Sequence, residues 1–355
     1  MTPEDVGAAS VITPAQALGM LDRDLAGGRV GPLADTPLLA VDVDQPEAHA
    51  LAAVAHQLPC VVVGIGSLPQ TLARPPELDV LLTDVAAPRP WRSCPEGTER
   101  ALSTLSLAVE RAPQAATALV QVLRLGANLS FDQALVAESL AYSMLQSGPT
   151  FAAWLRSREM RPPRPRDAEP VEVVRQDTAL RVTLHRPHVR NAIDAATRDA
   201  LVQAFDLAAL DPTIEQVDLQ GAGPAFCAGG DLDEFGTTPD PVTGHLVRLT
   251  RSPARALKRC ADRTTAHVHG ACVGAGIELA ALADRVAAAP DASFELPEVR
   301  MGLIPGAGGT VAIPRRIGRQ RTAWMALTAA PIDVTTALDW GLVDAVVDGP
   351  QLEGG

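Results

Sequence analysis

Ala225-Phe226-Cys227-Ala228-Gly229-Gly230-Asp231-Leu232 reads as a tight turn with small residues at its bend, entered from a strand pattern at 216–220. Small residues let a ligand approach the main chain and leave N–H groups pointing at it. Taken alone, this is equally an ordinary Gly-rich connection. A second stretch, Gly270-Ala271-Cys272-Val273-Gly274-Ala275-Gly276-Ile277-Glu278-Leu279-Ala280, repeats the arrangement: a strand at 265–268 meets glycines that open a helix. A helix N-terminus offers unpaired N–H donors and a partial positive charge. Two such turns facing each other can aim two amides at one carbonyl oxygen, an oxyanion hole. Glu278 falls in the first turn of the helix, where a carboxylate can also serve only the helix dipole. The third stretch, Phe294-Glu295-Leu296-Pro297-Glu298-Val299-Arg300-Met301-Gly302-Leu303-Ile304-Pro305-Gly306-Ala307-Gly308-Gly309, places Glu298 between a proline and a Gly/Pro-rich loop. By itself Glu298 reads as readily as a solvated loop acid.

Around these stretches, strand patterns at 180–184 and 285–289 alternate with a helix at 194–209 capped by Asp194. This alternation indicates a layered α/β domain.

The stretches together resemble the crotonase (enoyl-CoA hydratase/isomerase) superfamily over residues 171–348, about half of the chain. The motifs HRPHVRNAID, GPAFCAGGDLDEF, HGACVGAGIELA, FELPEVRMGLIPGAGGT and ALDWGLVDAVV stand in the family's order and at family-like spacings. The resemblance implies a ββα spiral fold for the second half and an acyl-CoA thioester as ligand. It implies no cofactor beyond the coenzyme A of the substrate, and assembly as a trimer or a dimer of trimers. The implied oxyanion hole is the N–H groups of Gly230 and Ala275; Ala275 stands where many relatives have Gly, and a backbone donor survives that change. Ala228, His188 and Val189 would lie along the coenzyme A moiety through main-chain contacts. Glu278 and Glu298 fall on the two glutamate positions of the family's hydratases, where the first activates water and the second delivers a proton. Isomerases of the family usually keep one acid or move it. Two acids suit hydration because water must be activated toward C3 while C2 receives a proton. Close carboxyl groups in a poorly solvated pocket titrate apart, leaving one ionised and one protonated.

The rest of the chain is read from its own residues. A length of 355 suits two domains. With aromatics at 3%, the cores must be built from Ala, Val, Leu and Ile. A net charge of -12 argues against nonspecific nucleic-acid binding, which needs a positive field. Five scattered cysteines with no CxxC pair signal free buried thiols rather than zinc or disulfides. No basic and apolar leader opens the sequence and no apolar run reaches the ~20 residues of a membrane span, so a cytoplasmic protein is expected. His267 and His269 have no partners at metal-ligand spacing, and the run Arg315, Arg316, Arg319 and Arg321 reads as a solvated face.

Residues 161–170, RPPRPRDAEP, hold four prolines and form a linker. Before it, apolar runs at 38–43, 60–65 and 78–82 suit buried strands, with helical character at 47–57 and a loop at 91–99. Residues 99–158 read as two helices, broken at Gly126 and Asn128, the second capped by Ser130. In the family, covering helices usually follow the core, and here the sequence ends at Gly355, soon after the last motif. Residues 115–158 resemble that helical region. The expected organisation is therefore 1–160 as a degenerate, noncatalytic crotonase-like α/β module with covering helices, 161–170 as linker, and 171–355 as the crotonase core. An unrelated α/β accessory domain is the alternative. The apolar segment 323–330 is expected to be a helix buried in a subunit interface.

Overall fold

The computed structural model describes residues 10–24, 30–34, 36–67, 75–158 and 169–347. Most of the linker, 161–168, and the tail from 348 onward lie outside the described residues.

Among the described residues, the first half is built on five strands: β1 (Val11–Ile12), β2 (Leu38–Asp42), β3 (Val61–Ile65), β4 (Val80–Thr83) and β5 (Arg92–Ser93). They pair in sequential order and in parallel throughout. A parallel sheet is covered on both faces, which is why its central strands read as continuous apolar runs. Alternate residues go to different cores. Leu39, Val41 and Val62 pack with Ala17 of α1 (Pro14–Asp24) and Leu51 of α2 (Ala48–Val54). Leu38, Ala40, Val61 and Val63 join a second, larger core that continues into the other half of the chain. The sheet shares parallel pairing with the second-half sheet, but not its strand order. The loop expected at 91–99 contains the short β5, and Trp91 is buried.

Four helices follow, not two: α3 (Thr98–Arg111), α4 (Pro113–Gly126), α5 (Phe131–Gln146) and α6 (Pro149–Ser157). The additional breaks fall at Pro113 and Pro149, each at the start of a helix, where proline lacks only an N–H that has no intrahelical partner. Ser130 caps α5 in a reciprocal capping box with Gln133.

The second half opens with an antiparallel pair, β6 (Val171–Gln176) and β7 (Ala179–Leu184). β6 is an edge strand with most residues exposed, so it lacked the apolar signal that marks β7. Helix α7 (Ala195–Leu210), capped by Asp194, leads to β8 (Gln216–Gly221). Helices α8 (Pro241–Thr250) and α9 (Pro253–Lys258) precede β9 (Thr264–Val268), β10 (Ala271–Val273) and α10 (Ala275–Ala280). Then come β11 (Arg285–Ala288), β12 (Ser293–Glu295), α11 (Gly309–Ile317), α12 (Arg319–Thr328), β13 (Ile332–Asp333), α13 (Val334–Trp340) and β14 (Ala345–Val346). Six strands form one sheet in the order β14-β11-β9-β8-β7-β6, and β10-β12-β13 form a second.

The two halves share one core. Helix α5 packs on α8 and α11, α4 on α11 and α12, α3 on α12, and α6 on the 3-10 turn Glu298–Met301. Polar ties cross the same junction: Arg321 Nε donates to Trp91 O (2.9 Å) and Gln320 Nε2 to Leu78 O (3.3 Å). Two expectations are corrected here. The apolar part of 323–330 is buried inside the chain, against helices of the first half, so it does not form a free subunit interface. The arginine run is not a solvated face either. Arg316 donates to Ala281 O and Ala283 O, Arg319 approaches Asp79, Arg321 is buried, and Arg315 alone is exposed.

Candidate active site

The two Gly-rich turns lie side by side because their strands pair across them. Cys227 N donates to Ala271 O (3.1 Å), and Val273 N donates to Cys227 O (2.9 Å). This brings Gly229 and Gly274 back to back, both at positive φ (94° and 49°). A Cβ on Gly229 would lie 3.1 Å from Val273 O, and one on Gly274 2.6 Å from Glu298 Oε1. Glycine is required at 274 on both counts, conformation and room. The residues that follow, Gly230 and Ala275, carry the amides of interest. Neither donates to another main-chain group among the described residues. Ala275 is the first residue of α10, so its N–H has no intrahelical partner and sits at the positive end of the helix. A cavity of about 170 Å³ opens onto Ala275, lined also by Ile193, Glu234, Arg248, Gly306 and Ala307. Larger clefts run along the junction of the halves and share no lining residue with it.

Glu278 and Glu298 are both buried, the latter on the 3-10 turn and not in solvent. Ala307 N and Gly309 N both donate to Glu278 Oε2, at 2.7 and 2.8 Å. Glu298 Oε2 is buried without a hydrogen-bond partner. Burial pushes the Glu278 carboxyl well above the usual range, helped by Glu298 and Glu138 and opposed by the two amides. Burial likewise pushes Glu298 up to about 8.

A third carboxyl group belongs to this cluster and comes from the first half. Glu138 on α5 is 2% exposed. Its Oε1 accepts from Gly308 N (2.8 Å), and its Oε2 accepts from Thr310 N (2.9 Å) and Thr310 Oγ1 (2.7 Å). Burial pushes it up to about 7, with the Thr310 and Gly308 hydrogen bonds and Arg248 opposing. Glu138 stands in none of the motifs read from the sequence. The signal was present: Leu135, Ser139, Tyr142 and Leu145 mark the inward face of α5, and Glu138 lies on it, three residues after Leu135. Nearby, the Arg248 guanidinium lies 4.4 Å from the ring centre of Tyr142, the chain's one tyrosine.

The RPHVRNA segment is pinned to the first turn by Asn191, also missed in the sequence. Asn191 is buried at positive φ (55°). Its Oδ1 accepts from Arg186 N (2.9 Å), and its Nδ2 donates to Ala222 O and Ala225 O (both 2.8 Å). Buried Arg186 adds ion pairs to Asp194 and Asp231. As a result Ala228 N donates to Arg190 O (2.9 Å). His188 is exposed and Val189 half-buried, on the 3-10 turn Pro187–Val189 beside it. His267 Nε2 lies 2.8 Å from Asp218 Oδ1 on the neighbouring strand, and His269 Nε2 2.8 Å from Gly223 O. Among the described residues, no group of three or more His, Cys, Asp or Glu could hold a metal ion. No helix among them is long and apolar enough to cross a membrane.

Comparison with known proteins places the second half in a family. A family model described as Enoyl-CoA hydratase/isomerase matches residues 175–354. A mevalonyl-coenzyme A hydratase of Aspergillus fumigatus is 34% identical over 179 residues, 49% of this chain and 64% of that protein. A 2,3-dehydroadipyl-CoA hydratase of Escherichia coli is 37% identical over 175 residues, covering 49% of this chain and 68% of the relative. A 1,2-epoxyphenylacetyl-CoA isomerase of the same organism is 34% identical over 177 residues, with coverage of 49% and 68%. The chain thus spans about two thirds of the length of these relatives, and the matches cover about half of the chain. With its paired turns and buried acids on the matched segment, the chain belongs to the enoyl-CoA hydratase/isomerase family.

Proposed function

We propose that the chain hydrates the double bond of a 2-enoyl-CoA thioester. The observation that carries this reading is the pairing of two buried acids, Glu278 and Glu298, with two unengaged amides, Gly230 and Ala275, around adjoining turns. A shift of a double bond can run on one acid; adding water across it uses two.

The thioester oxygen accepts from Gly230 N–H and Ala275 N–H. Ionised Glu278 takes a proton from a water molecule, and the hydroxide oxygen bonds to C3. The C2=C3 electron pair moves toward the carbonyl, giving an enolate held by the two amides, and protonated Glu298 then gives its proton to C2. Burial and the neighbouring acids raise both carboxyl groups, Glu278 as well as Glu298, so the roles rest on the hydrogen bonds: Glu278 is assigned as the base because two amides and the start of α11 favour its anion. Glu298 is the acid because its buried Oε2 has no donor to favour ionisation, and burial holds the proton on to about pH 8. The protons belong to the cluster, so a pH profile reports the group rather than either residue alone. The cavity of about 170 Å³ is small against the ~300–1,000 Å³ of a whole-ligand site. It is lined by Ala275 but not by Gly230, Glu278 or Glu298, so it takes part of the acyl end only, while the remainder of the thioester runs out past Ala228, His188 and Val189.

Purified protein assayed with crotonyl-CoA tests the reading. Glu278→Gln and Glu298→Gln should each lose about 10²–10⁴ in kcat, the usual share of general acid–base catalysis. Thioester affinity should stay within about tenfold of wild type, because binding runs through backbone donors. Full hydratase activity in either variant rules out the two-acid mechanism. A wild type that only moves the double bond favours isomerisation. One that binds the thioester without turning it over is an acyl-CoA-binding subunit.

A further inference from the structure

We propose that Glu138, contributed by the first half, is a positioning residue for the acid pair: it holds the strap 307–310 against Glu278 and sets that carboxylate's orientation and basicity. The inference rests on the acid–base reading above.

Four consecutive amides alternate between two carboxylates. Ala307 and Gly309 donate to Glu278, whereas Gly308 and Thr310 donate to Glu138. The strap is therefore clamped from both sides, and neither carboxylate can move without dragging the other's donors. The packing is close: a Cβ on Gly309 would lie 2.6 Å from Glu278 Cγ. Glu278 depends on this strap for every hydrogen bond found for its carboxylate. A buried carboxylate is a costly way to fill space, since its desolvation must be offset by donors. Glu138 has three such donors, all from the strap.

The electrostatic surroundings make Glu138 more than a clamp. Facing it are Arg248 of α8, Tyr142 of its own helix, Glu278 of α10 and Glu298 of the 3-10 turn. His245 of α8 contacts Ser139, the next residue along α5. Arg248 is the one cation of the set that is always charged, and it donates to Ser139 and Ser143 on α5. A negative Glu138 opposes ionisation of Glu278 across the strap, so removing that charge lets Glu278 ionise at lower pH.

The test uses full-length variants and two readouts. One is the pH dependence of kcat and KM for crotonyl-CoA. The other is the pH dependence of enolate formation from bound acetoacetyl-CoA, which is followed by ultraviolet absorbance and does not require hydration. Glu138→Gln should lose about tenfold to hundredfold in kcat, the scale of a small misplacement, with KM little changed. Its acid limb should move to lower pH in both readouts. Glu138→Asp, which retains the charge on a shorter arm, should lose kcat and keep the wild-type limb. Thr310→Val removes one donor and leaves the amides in place. Glu138 then holds its proton to higher pH, and the limb should move the same way by a smaller amount. A Glu138→Gln enzyme whose limb is unmoved, or moves to higher pH, overturns the proposal whatever its kcat, because a loosened strap alone withdraws the amides that favour the Glu278 anion and moves the limb up. Should Glu138→Gln fail to fold, Thr310→Val is judged by the same criterion. If wild type forms the enolate but does not hydrate crotonyl-CoA, the hydratase reading fails and the enolate titration alone decides this inference. If wild type does neither, both are overturned.

Discussion

Glu298 Oε2 is a buried oxygen without a donor, and that has a consequence for stability as well as for chemistry. The carboxyl group titrates near its usual 4.5 when unfolded and at about 8 when folded. A group whose pKa is raised by folding contributes its full stability below the unfolded value and loses it as pH rises through the folded one. Glu138, raised to about 7, and Glu278, also raised, act in the same sense. Wild-type Tm should therefore be higher at about pH 5.5 than at about pH 8.5, and Glu298→Gln should flatten this slope. At the higher pH the variant should melt several degrees above wild type, readable by differential scanning calorimetry. Glu278 and Glu298 could be named from the sequence, because Gly/Pro-rich surroundings mark their motifs. Their burial could not, since it depends on elements remote in the chain: α11 lies over Glu278, and α6 packs on the turn that carries Glu298.

At the scale of elements, local signals located most pieces and the turns between them decided the site. Asp194 and Ser130 cap the helices they were expected to cap. Breaks at Pro113 and Pro149 were hidden because a proline at a helix start leaves the apolar period on either side undisturbed. The edge strand β6 was missed because exposed residues on both faces give no apolar run. The turns are another matter: their pairing rests on Asn191, whose side-chain amide ties two segments about thirty residues apart. Asn191→Ala would leave several buried carbonyls and one amide unpaired, each a penalty of ~1–3 kcal/mol. Urea denaturation should show a loss of about 3 kcal/mol or more, and affinity for the thioester should fall as Ala228 drifts from Arg190. Asparagine also tolerates the positive φ at this position better than alanine.

For the molecule as a whole, the large core is continuous across the junction and includes Val61, Leu105, Leu119 and Leu135 from the first half with Ile304, Val311 and Trp324 from the second. Residues 169–355 expressed alone would expose the faces of α11 and α12 and leave the strap without Glu138. Soluble proteins seldom tolerate so large an apolar patch. That fragment should be insoluble or inactive, and co-expression of residues 1–160 should restore solubility and activity. Recovery in the soluble fraction together with crotonyl-CoA turnover measures both. A soluble, fully active fragment would make the first half dispensable for the site.

The family, the two motif glutamates and the two turns could be read from sequence alone, because they lie on contiguous segments whose small residues and period are local properties. Tertiary structure alone joined the third acid to the other two and decided the burial of all three and the alternation of strap amides between Glu138 and Glu278. The reason is physical. A hydrogen bond between Glu138 and Thr310 joins groups 172 residues apart, and no local pattern encodes which distant surface will cover a helix face. Helix α12 makes the same point: its apolar sequence specified burial, while only packing decided that the first half of the same chain, rather than another subunit, covers it.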